Sequence, residues 1–221
     1  MILWPHRGVW KTKKQQNTIQ ALDNAFNFEY RHIEFDIWLL NNKLLLKHDK
    51  PTEKELQNNS LPLLKEFVKR YGNKLKYWMD FKNLTLENID EFLPIYKKVI
   101  DNSKIDYKAI YFTPFETNWN VSIKLHKKIQ NYMKGINSMI MMNFENFEKE
   151  KIYDYYKILQ ENNITNFSVE HKIVNKKFVD TFQGINLFVW VVNNIKEYER
   201  LANLGVKNIC TNNITYKDLQ T

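Results

Sequence analysis

The chain has 221 residues, 43% of them hydrophobic and 14% aromatic, which suffices for one large domain with its own core. Its net charge of +8, from 33 lysines and arginines against 25 acidic residues, favours an anionic partner, but the lysines are dispersed and no arginine-rich stretch predicts nucleic-acid binding. We expect neither a membrane-spanning helix nor a signal peptide, and the lone Cys210 favours a cytoplasmic protein without an internal disulfide.

Strand-like and helix-like segments alternate along the chain. Short runs rich in Ile, Val, Phe, Tyr and Trp predict eight strands, at residues 2–5, 31–37, 76–81, 107–112, 138–142, 165–169, 186–192 and 207–211. Amphipathic stretches predict seven helices, near 17–28, 61–71, 86–101, 118–132, 147–163, 175–183 and 195–204. This alternation predicts an α/β fold with a parallel sheet, and eight repeats favour a (β/α)8 TIM barrel built as a single domain from residues 1–221. An open doubly wound sheet is the alternative.

Two places depart from strict alternation. After the second predicted strand, LLNNKLLLKHD (39–49) predicts a small hairpin insertion, because the Asn41-Asn42 pair suits a two-residue type I′ turn. After the last strand only the tail ITYKDLQT (214–221) remains, so we expect the last barrel helix to be truncated.

Titratable residues collect where the first two predicted strands end. His6 and Arg7 follow the first strand, and His48 closes the hairpin after the second. Glu34 and Asp36 stand two residues apart inside an apolar run, so both side chains point to the same face of their strand. Because charged groups inside an apolar segment are costly unless they are paired or bind something, this face is expected to line the mouth of the barrel, where such folds place their active sites.

The third predicted strand repeats this spacing. Asp80 and Lys82 stand two residues apart in KYWMDFKN (76–83). Three carboxylates from neighbouring strands would form an oxygen-rich site suited to Mg²⁺ or Ca²⁺. Arg7 and Lys82 would supply positive charge for a phosphate group, and the two histidines could act as general acid and general base.

The order of these motifs resembles the glycerophosphodiester phosphodiesterase family. HRG (6–8), QNT (16–18), IEFD (33–36) and KHD (47–49) are similar to the HRG, ENT, E-x-D and HD motifs of that family. Downstream, YWMDFKN (77–83) is similar to its E-x-K motif, and WVVNN (190–194) and LGVKNICTN (204–212) are similar to its closing W-T-V-N and G-V-D-G-I-x-T-D motifs. The resemblance extends over nearly the whole chain.

The resemblance implies a metal-dependent phosphoric diester hydrolase of lipid metabolism on a TIM barrel, acting on a glycerophosphodiester or a similar small alcohol phosphodiester. It also implies roles for residues matched by position: acid/base catalysis by His6 and His48, a divalent ion (Mg²⁺ or Ca²⁺) on Glu34, Asp36 and Asp80, phosphate contacts from Arg7 and Lys82, and an aromatic wall from Trp190.

Four departures from the family pattern leave the substrate open. Asp80 replaces a longer glutamate, Gln16 replaces the glutamate of ENT, Asn212 replaces an acidic residue, and HDKPTEKE (48–55) lacks the usual R-T-T-G run. A phosphodiesterase for phospholipid, sugar-linked or nucleotide-linked substrates is one alternative, and a non-catalytic phosphate-binding barrel is another. Glu170 and His171, at the end of the sixth predicted strand, are further candidates for the barrel mouth.

Overall fold

Strands and helices alternate through residues 1–219, the part of the chain that the computed structural model describes. The strands are β1 (Ile2–Pro5), β2 (His32–Leu40), β3 (Lys43–Leu46), β4 (Lys76–Phe81), β5 (Ile110–Pro114), β6 (Asn137–Ser138), β7 (Ile140–Met142), β8 (Asn166–Glu170), β9 (Asn186–Trp190) and β10 (Asn208–Thr211). The helices are α1 (Ile19–Asn27), α2 (Glu53–Gln57), α3 (Leu64–Tyr71), α4 (Ile89–Asn102), α5 (Trp119–Tyr132), α6 (Ile152–Glu161), α7 (Lys176–Thr181) and α8 (Ile195–Asn203). No helix in residues 1–219 is both long and apolar enough to cross a membrane.

The parallel strands form the predicted (β/α)8 barrel. One run of paired strands has the order β1-β10-β9-β8-β7, and the other joins β2, β4, β5 and β6, with β3 antiparallel on the outer side of β2. β6 and β7 are two parts of the fifth predicted strand, separated by Met139, whose N–H donates to the carbonyl of Phe112 at 2.8 Å. On the opposite side of the ring, β1 meets β2 where His6 bridges Glu34 in parallel register.

The two faces of the barrel strands have different surroundings. On β2, Ile33, Phe35 and Ile37 are fully buried against the helix layer, with the Phe35 ring edge-on to Phe67 of α3 at 5.4 Å. The alternate residues Glu34 and Asp36 therefore face the barrel axis. This alternation is why apolar and acidic residues interleave in the sequence.

Aromatic side chains fill the barrel interior one layer below its mouth. Trp4, Trp78, Tyr111 and Phe188 each precede an axis-facing residue of the mouth by two positions. Their ring centroids lie 4.8 to 5.9 Å apart. This layer blocks the axis, so the cavity at the mouth has a solid floor.

The hairpin insertion is confirmed. Asn41 and Asn42 have φ of 50° and 58°, as a type I′ turn requires, and they join β2 to the antiparallel β3. β2 continues to Leu40, beyond its predicted end, because β3 supplies hydrogen-bond partners for the extra residues.

The short helix α2 and residues 107–109 differ from the prediction. The short helix α2 was not predicted; it begins at a capping box formed by Thr52 and Glu55 and has no buried face to produce an apolar periodicity. Residues 107–109 form a 3₁₀ turn rather than the start of β5. After β10 the described chain contains one 3₁₀ turn, Lys217–Leu219, in place of an α-helix, which agrees with the expected truncation. Residues 220–221 of the tail lie outside the described residues.

Candidate active site

A tight turn after β1 places His6 and Arg7 at the mouth. Arg7 and Gly8 both have positive φ, 62° and 82°, and a Cβ on Gly8 would lie 2.7 Å from the Ala21 carbonyl carbon, so the close approach to α1 requires glycine. The indole N–H of Trp10 donates to the His6 carbonyl at 2.9 Å. The turn is therefore held both by backbone conformation and by packing on α1.

The His6 ring is held in one orientation by Asn212. His6 Nδ1 lies 2.8 Å from Asn212 Oδ1, and because a carboxamide oxygen can only accept, Nδ1 donates and the proton-free nitrogen is Nε2. Nε2 is 3.9 Å from Glu34 Oε2. Burial, followed by the neighbouring Arg7 charge, lowers the pKa of His6 to about 4, so the imidazole is neutral at pH 7.

Asp36 is the centre of a buried charge network. Its carboxylate lies 2.9 Å from Arg7 Nε and 2.8 Å from Lys82 Nζ, and it accepts a 2.7 Å hydrogen bond from Asn17 Nδ2. The Asn17 carboxamide oxygen in turn accepts from the Asp36 backbone N–H at 3.0 Å. Burial alone would raise the pKa of Asp36, but Lys82 and Arg7 outweigh it and hold that pKa below its usual value.

Glu34 and Asp80 complete an acidic cluster with Asp36, in which one oxygen from each carboxylate lies within 4.8 Å of the others. Glu34 accepts from the Arg7 backbone N–H at 2.9 Å, and burial together with the Asp36 charge raises the pKa of Glu34 well above its ordinary value. Asp80 Oδ2 accepts from Lys82 Nζ at 2.6 Å, whereas Asp80 Oδ1 is buried without a hydrogen-bond partner.

This acidic cluster fits a divalent cation. A buried carboxylate oxygen without a partner is costly, and a carboxyl group whose pKa is raised by a like charge gains most from a nearby cation. The donors are all carboxylate oxygens, which Mg²⁺ and Ca²⁺ prefer. Glu34, Asp36 and Asp80 are the residues that could hold such an ion.

These groups open onto a cavity of about 140 Å³ at the carboxyl end of the barrel. His48 lies at its rim with 42% of its side chain exposed, and its Nδ1 is 2.6 Å from Asp49 Oδ1. The cavity is lined by His6, Arg7, Glu34, His48, Trp78, Asp80, Lys82, Thr113, Phe115, Met141, Ser168, Trp190, Val191 and Cys210. Larger grooves exist elsewhere on the surface, but they contain no comparable group of histidine, carboxylate and cationic side chains among the described residues.

Seven of the eight predicted site residues line this cavity; the exception is Asp36, which is fully buried behind Arg7 and Lys82. Their roles in binding and catalysis remain predictions. Glu170 and His171 are not part of the lining: Glu170 accepts from the Phe144 N–H and pairs with Lys172, and His171 pairs with Glu197.

Sequence reasoning did not assign roles to three further residues. Asn17 holds Asp36, Asn212 holds His6, and Thr113 lines the cavity beside Asp80. For Asn17 a signal existed, since it stands inside the QNT motif and asparagine is among the residues that, after glycine, most readily adopt its φ of 57°. Thr113 stands in an apolar strand, and nothing in the sequence distinguishes its hydroxyl from a surface one.

No protein-family model and no curated protein sequence matches this chain. Solved structures do. A glycerophosphodiester phosphodiesterase from Parabacteroides distasonis has a TM-score of 0.78 at 20% identity, with 99% of this chain and 95% of that chain covered. A glycerophosphodiester phosphodiesterase from Thermotoga maritima has a TM-score of 0.72 at 20% identity, with 96% and 94% covered.

A phosphodiesterase from Oleispira antarctica, solved in complex with the product sn-glycerol-3-phosphate, has a TM-score of 0.75 at 13% identity and covers 100% of this chain and 96% of its own. At these identities the likeness establishes the fold. The protein has the TIM-barrel fold of the glycerophosphodiester phosphodiesterases over nearly its full length.

Proposed function

We propose that the protein is a metal-dependent phosphodiesterase that hydrolyses a glycerophosphodiester or a similar small alcohol phosphodiester. The observation that carries this proposal is the convergence of His6, Arg7, Lys82 and the acidic cluster on one cavity at the carboxyl end of a barrel. That end is where (β/α)8 enzymes carry out their chemistry, and the solved structures of this fold named above are phosphodiesterases.

The charges of the site favour a phosphodiester. When all three carboxylates are ionised, as they are when they hold a cation, they and the two cations Arg7 and Lys82 have a net charge of −1. A divalent cation together with a phosphodiester monoanion would bring the total to zero, which matters because uncompensated charge in a buried site is costly. The chemistry that Mg²⁺ or Ca²⁺ supplies when bound is neutralisation of the phosphodiester oxygens and a lower pKa for the attacking hydroxyl or water.

The surroundings of the two histidines favour different roles for them. His6 is neutral at pH 7, has a free Nε2 and is buried among charged groups, so we assign it as the general base that removes the proton of the attacking hydroxyl. His48 lies at the exposed rim, where the leaving alcohol would depart, so we assign it as the general acid. Arg7 and Lys82 would orient the phosphate group, and Trp190 would form an apolar wall of the pocket.

The cavity favours a small substrate moiety. The cavity is small, about 140 Å³, and it opens to solvent past His48 and Phe115, so the second alcohol would extend in that direction. A solved structure of this fold binds sn-glycerol-3-phosphate, which supports a glycerophosphodiester. A role in lipid metabolism in the cytoplasm is consistent with this substrate and with the buried thiol of Cys210.

The proposal is tested by hydrolysis of glycerophosphodiesters of choline, ethanolamine, inositol and glycerol, each with and without chelator. We expect turnover that requires Mg²⁺ or Ca²⁺ and falls about 10²–10⁴-fold in His6→Ala, the usual contribution of a general base. His171→Gln is the matched control, because His171 lies outside the cavity and its loss leaves the site intact.

Two outcomes would contradict the proposal. Turnover that persists in chelator would exclude the metal-dependent mechanism. A folded protein that binds the ion but cleaves none of the four substrates would indicate another phosphodiester class or a non-catalytic barrel.

A further inference from the structure

Thr113 presents a buried hydroxyl to the cavity without using it. It lies on β5 directly beside Asp80 of β4 in the parallel register, and both side chains line the cavity. Thr113 is 1% exposed, and its Oγ1 has no hydrogen-bond partner. Because Phe112 packs in the core outside the barrel, the alternation along β5 places the Thr113 side chain on the axis-facing side, as it does for Asp80 on β4.

The unused hydroxyl is unexpected at this position. Valine has the same shape as threonine and would fill a barrel position without the cost of desolvating a hydroxyl. A threonine that lines a cavity and has no protein partner is satisfied only by a group that enters the cavity. Met141 and Phe115, which also line it, offer no strong hydrogen-bonding group.

The charge distribution limits what this group is. The charged residues of the cavity come from the segment of the barrel formed by β1, β2, β4 and the turns that follow them. From β5 round to β10 its wall carries no charged side chain, the lining residues being Thr113, Phe115, Met141, Ser168, Trp190, Val191 and Cys210. A phosphate group would therefore bind on the charged side, and Thr113 stands where the charged side meets the uncharged wall.

We propose that Thr113 binds a free hydroxyl of the glycerol phosphate moiety and so selects a hydroxylated alcohol over a plain alkyl one. This inference rests on the proposed function for the placement of the phosphate. The hydroxyl of Thr113 both donates and accepts, and so matches an alcohol group better than it matches an ammonium or a carboxylate.

The test is a comparison of two ligands and four proteins by calorimetry in the presence of Mg²⁺ or Ca²⁺. The ligands are sn-glycerol 3-phosphate and propyl phosphate, which has the same carbon chain without hydroxyls. The proteins are the unaltered chain, Thr113→Val, Thr113→Ser and Ser138→Ala. Ser138 is the matched control, because its hydroxyl is also buried without a partner but lies outside the cavity.

We expect the unaltered protein to prefer glycerol phosphate to propyl phosphate by about tenfold or more, as a hydrogen bond lost from a buried site implies. Thr113→Val should weaken the binding of glycerol phosphate about tenfold and leave the affinity for propyl phosphate unchanged. Thr113→Ser should retain the preference because it keeps the hydroxyl, and Ser138→Ala should bind both ligands as the unaltered protein does.

Several results would overturn the inference: equal affinity of the unaltered protein for the two ligands, glycerol phosphate binding that is unchanged in Thr113→Val, or equal losses for both ligands. Weaker Mn²⁺ binding by Thr113→Val in the absence of phosphate would also overturn it, by assigning the hydroxyl to the ion. These binding results are independent of turnover. If the protein has no hydrolase activity but Thr113 still makes it prefer glycerol phosphate to propyl phosphate, only the proposed hydrolase function is contradicted. If the protein is active but shows no such preference, only the proposed role of Thr113 is contradicted.

Discussion

Asn17 holds the first barrel loop onto the acidic strand β2. Its side chain makes two hydrogen bonds to Asp36, one with the carboxylate and one with the backbone N–H. Both groups are buried, so each bond protects a polar atom that water cannot reach. This contact keeps Arg7 and Asp36 close together, and the geometry of the site depends on it.

Asn17→Ala should lower the free energy of unfolding by about 2–4 kcal/mol in urea denaturation, because it leaves buried polar atoms unpaired and places alanine at positive φ. Asn59→Ala is the matched control: Asn59 also has positive φ, 47°, but is exposed. Asn59→Ala should lower the free energy of unfolding by about 1 kcal/mol, which is mainly the conformational part, because the one side-chain bond that it removes, from Lys43 Nζ, is exposed to solvent. Equal losses in the two variants would show that the bonds to Asp36 contribute nothing.

At Gly8 the steric reason for glycine can be separated from the conformational one by a matched control. A Cβ at this position would lie 2.7 Å from both the carbonyl carbon and oxygen of Ala21, whereas a Cβ on Gly184 would meet nothing within 4 Å, although both glycines have φ near +80°. Gly8→Ala should therefore lower the free energy of unfolding by about 2 kcal/mol more than Gly184→Ala does, because the backbone atoms of Ala21 must move to make room for the new Cβ. Thermal unfolding of both variants measures the difference, and equal shifts in Tm would contradict the steric argument.

At the scale of secondary-structure elements, a polar network ties the loop after β8 to α8. Glu197 lies 2.9 Å from His171 Nδ1 and 2.7 Å from Arg200 Nη2, while Arg200 Nη1 donates to the carbonyl of Val174. Hydrogen bonds from Arg200, with a smaller effect from His171, lower the pKa of Glu197 to about 2. This network therefore fastens α8 to the loop that follows β8.

This network predicts a pH dependence. The pKa of Glu197 is lower in the folded state than in the unfolded state, so its stabilising effect is complete above the ordinary pKa of 4.5 and is lost as the pH falls towards 2. Glu197→Gln should reduce the free energy of unfolding by about 1 kcal/mol at pH 7, after allowance for solvent screening, and by much less at pH 3. Glu199→Gln, on the exposed side of α8, should change it little at either pH. If the difference in free energy of unfolding between the two variants were the same at both pH values, this account would be contradicted.

At the scale of the whole molecule, the barrel has one functional end because its interior is closed by aromatic rings below the site. The aromatic layer formed by Trp4, Trp78, Tyr111 and Phe188 fills the axis of the barrel, so ligands enter from the carboxyl ends of the strands. The acidic cluster draws two residues from β2 and one from β4, neighbouring strands that are far apart in the sequence, so an ion bound there would stabilise their pairing.

Ion binding should therefore stabilise the whole fold. At a concentration of Mg²⁺ or Ca²⁺ about 100-fold above its Kd, we expect the free energy of unfolding to increase by about 2.7 kcal/mol. This corresponds to a rise in Tm of roughly 5–10 °C for a chain of this size. Chelator should reverse the rise, and Asp80→Asn should reduce it strongly. Asp90→Asn, an exposed aspartate paired with Lys128, should retain the full rise. A rise of equal size in both variants would place the ion elsewhere.

The sequence by itself determined the alternation of strands and helices, the hairpin at Asn41-Asn42 and the charged and histidine residues that line the cavity. These features have local causes: apolar periodicity reports which face of an element is buried, paired asparagines permit the positive φ of a type I′ turn, and charged residues interrupt an apolar strand only where they have a use. The helix α2 escaped prediction because it buries no face.

Only the tertiary structure decided how the side chains share the site. It placed Asp36 behind Arg7 and Lys82 rather than on the cavity wall, gave His6 a neutral partner in Asn212, and left Thr113 with an unpaired hydroxyl beside Asp80. Asn212 is separated from His6 by almost the whole chain, and Thr113 meets Asp80 through strand register. Contacts between residues so far apart in the sequence depend on how the barrel closes and on the register of its strands. Neither can be inferred from the local sequence pattern.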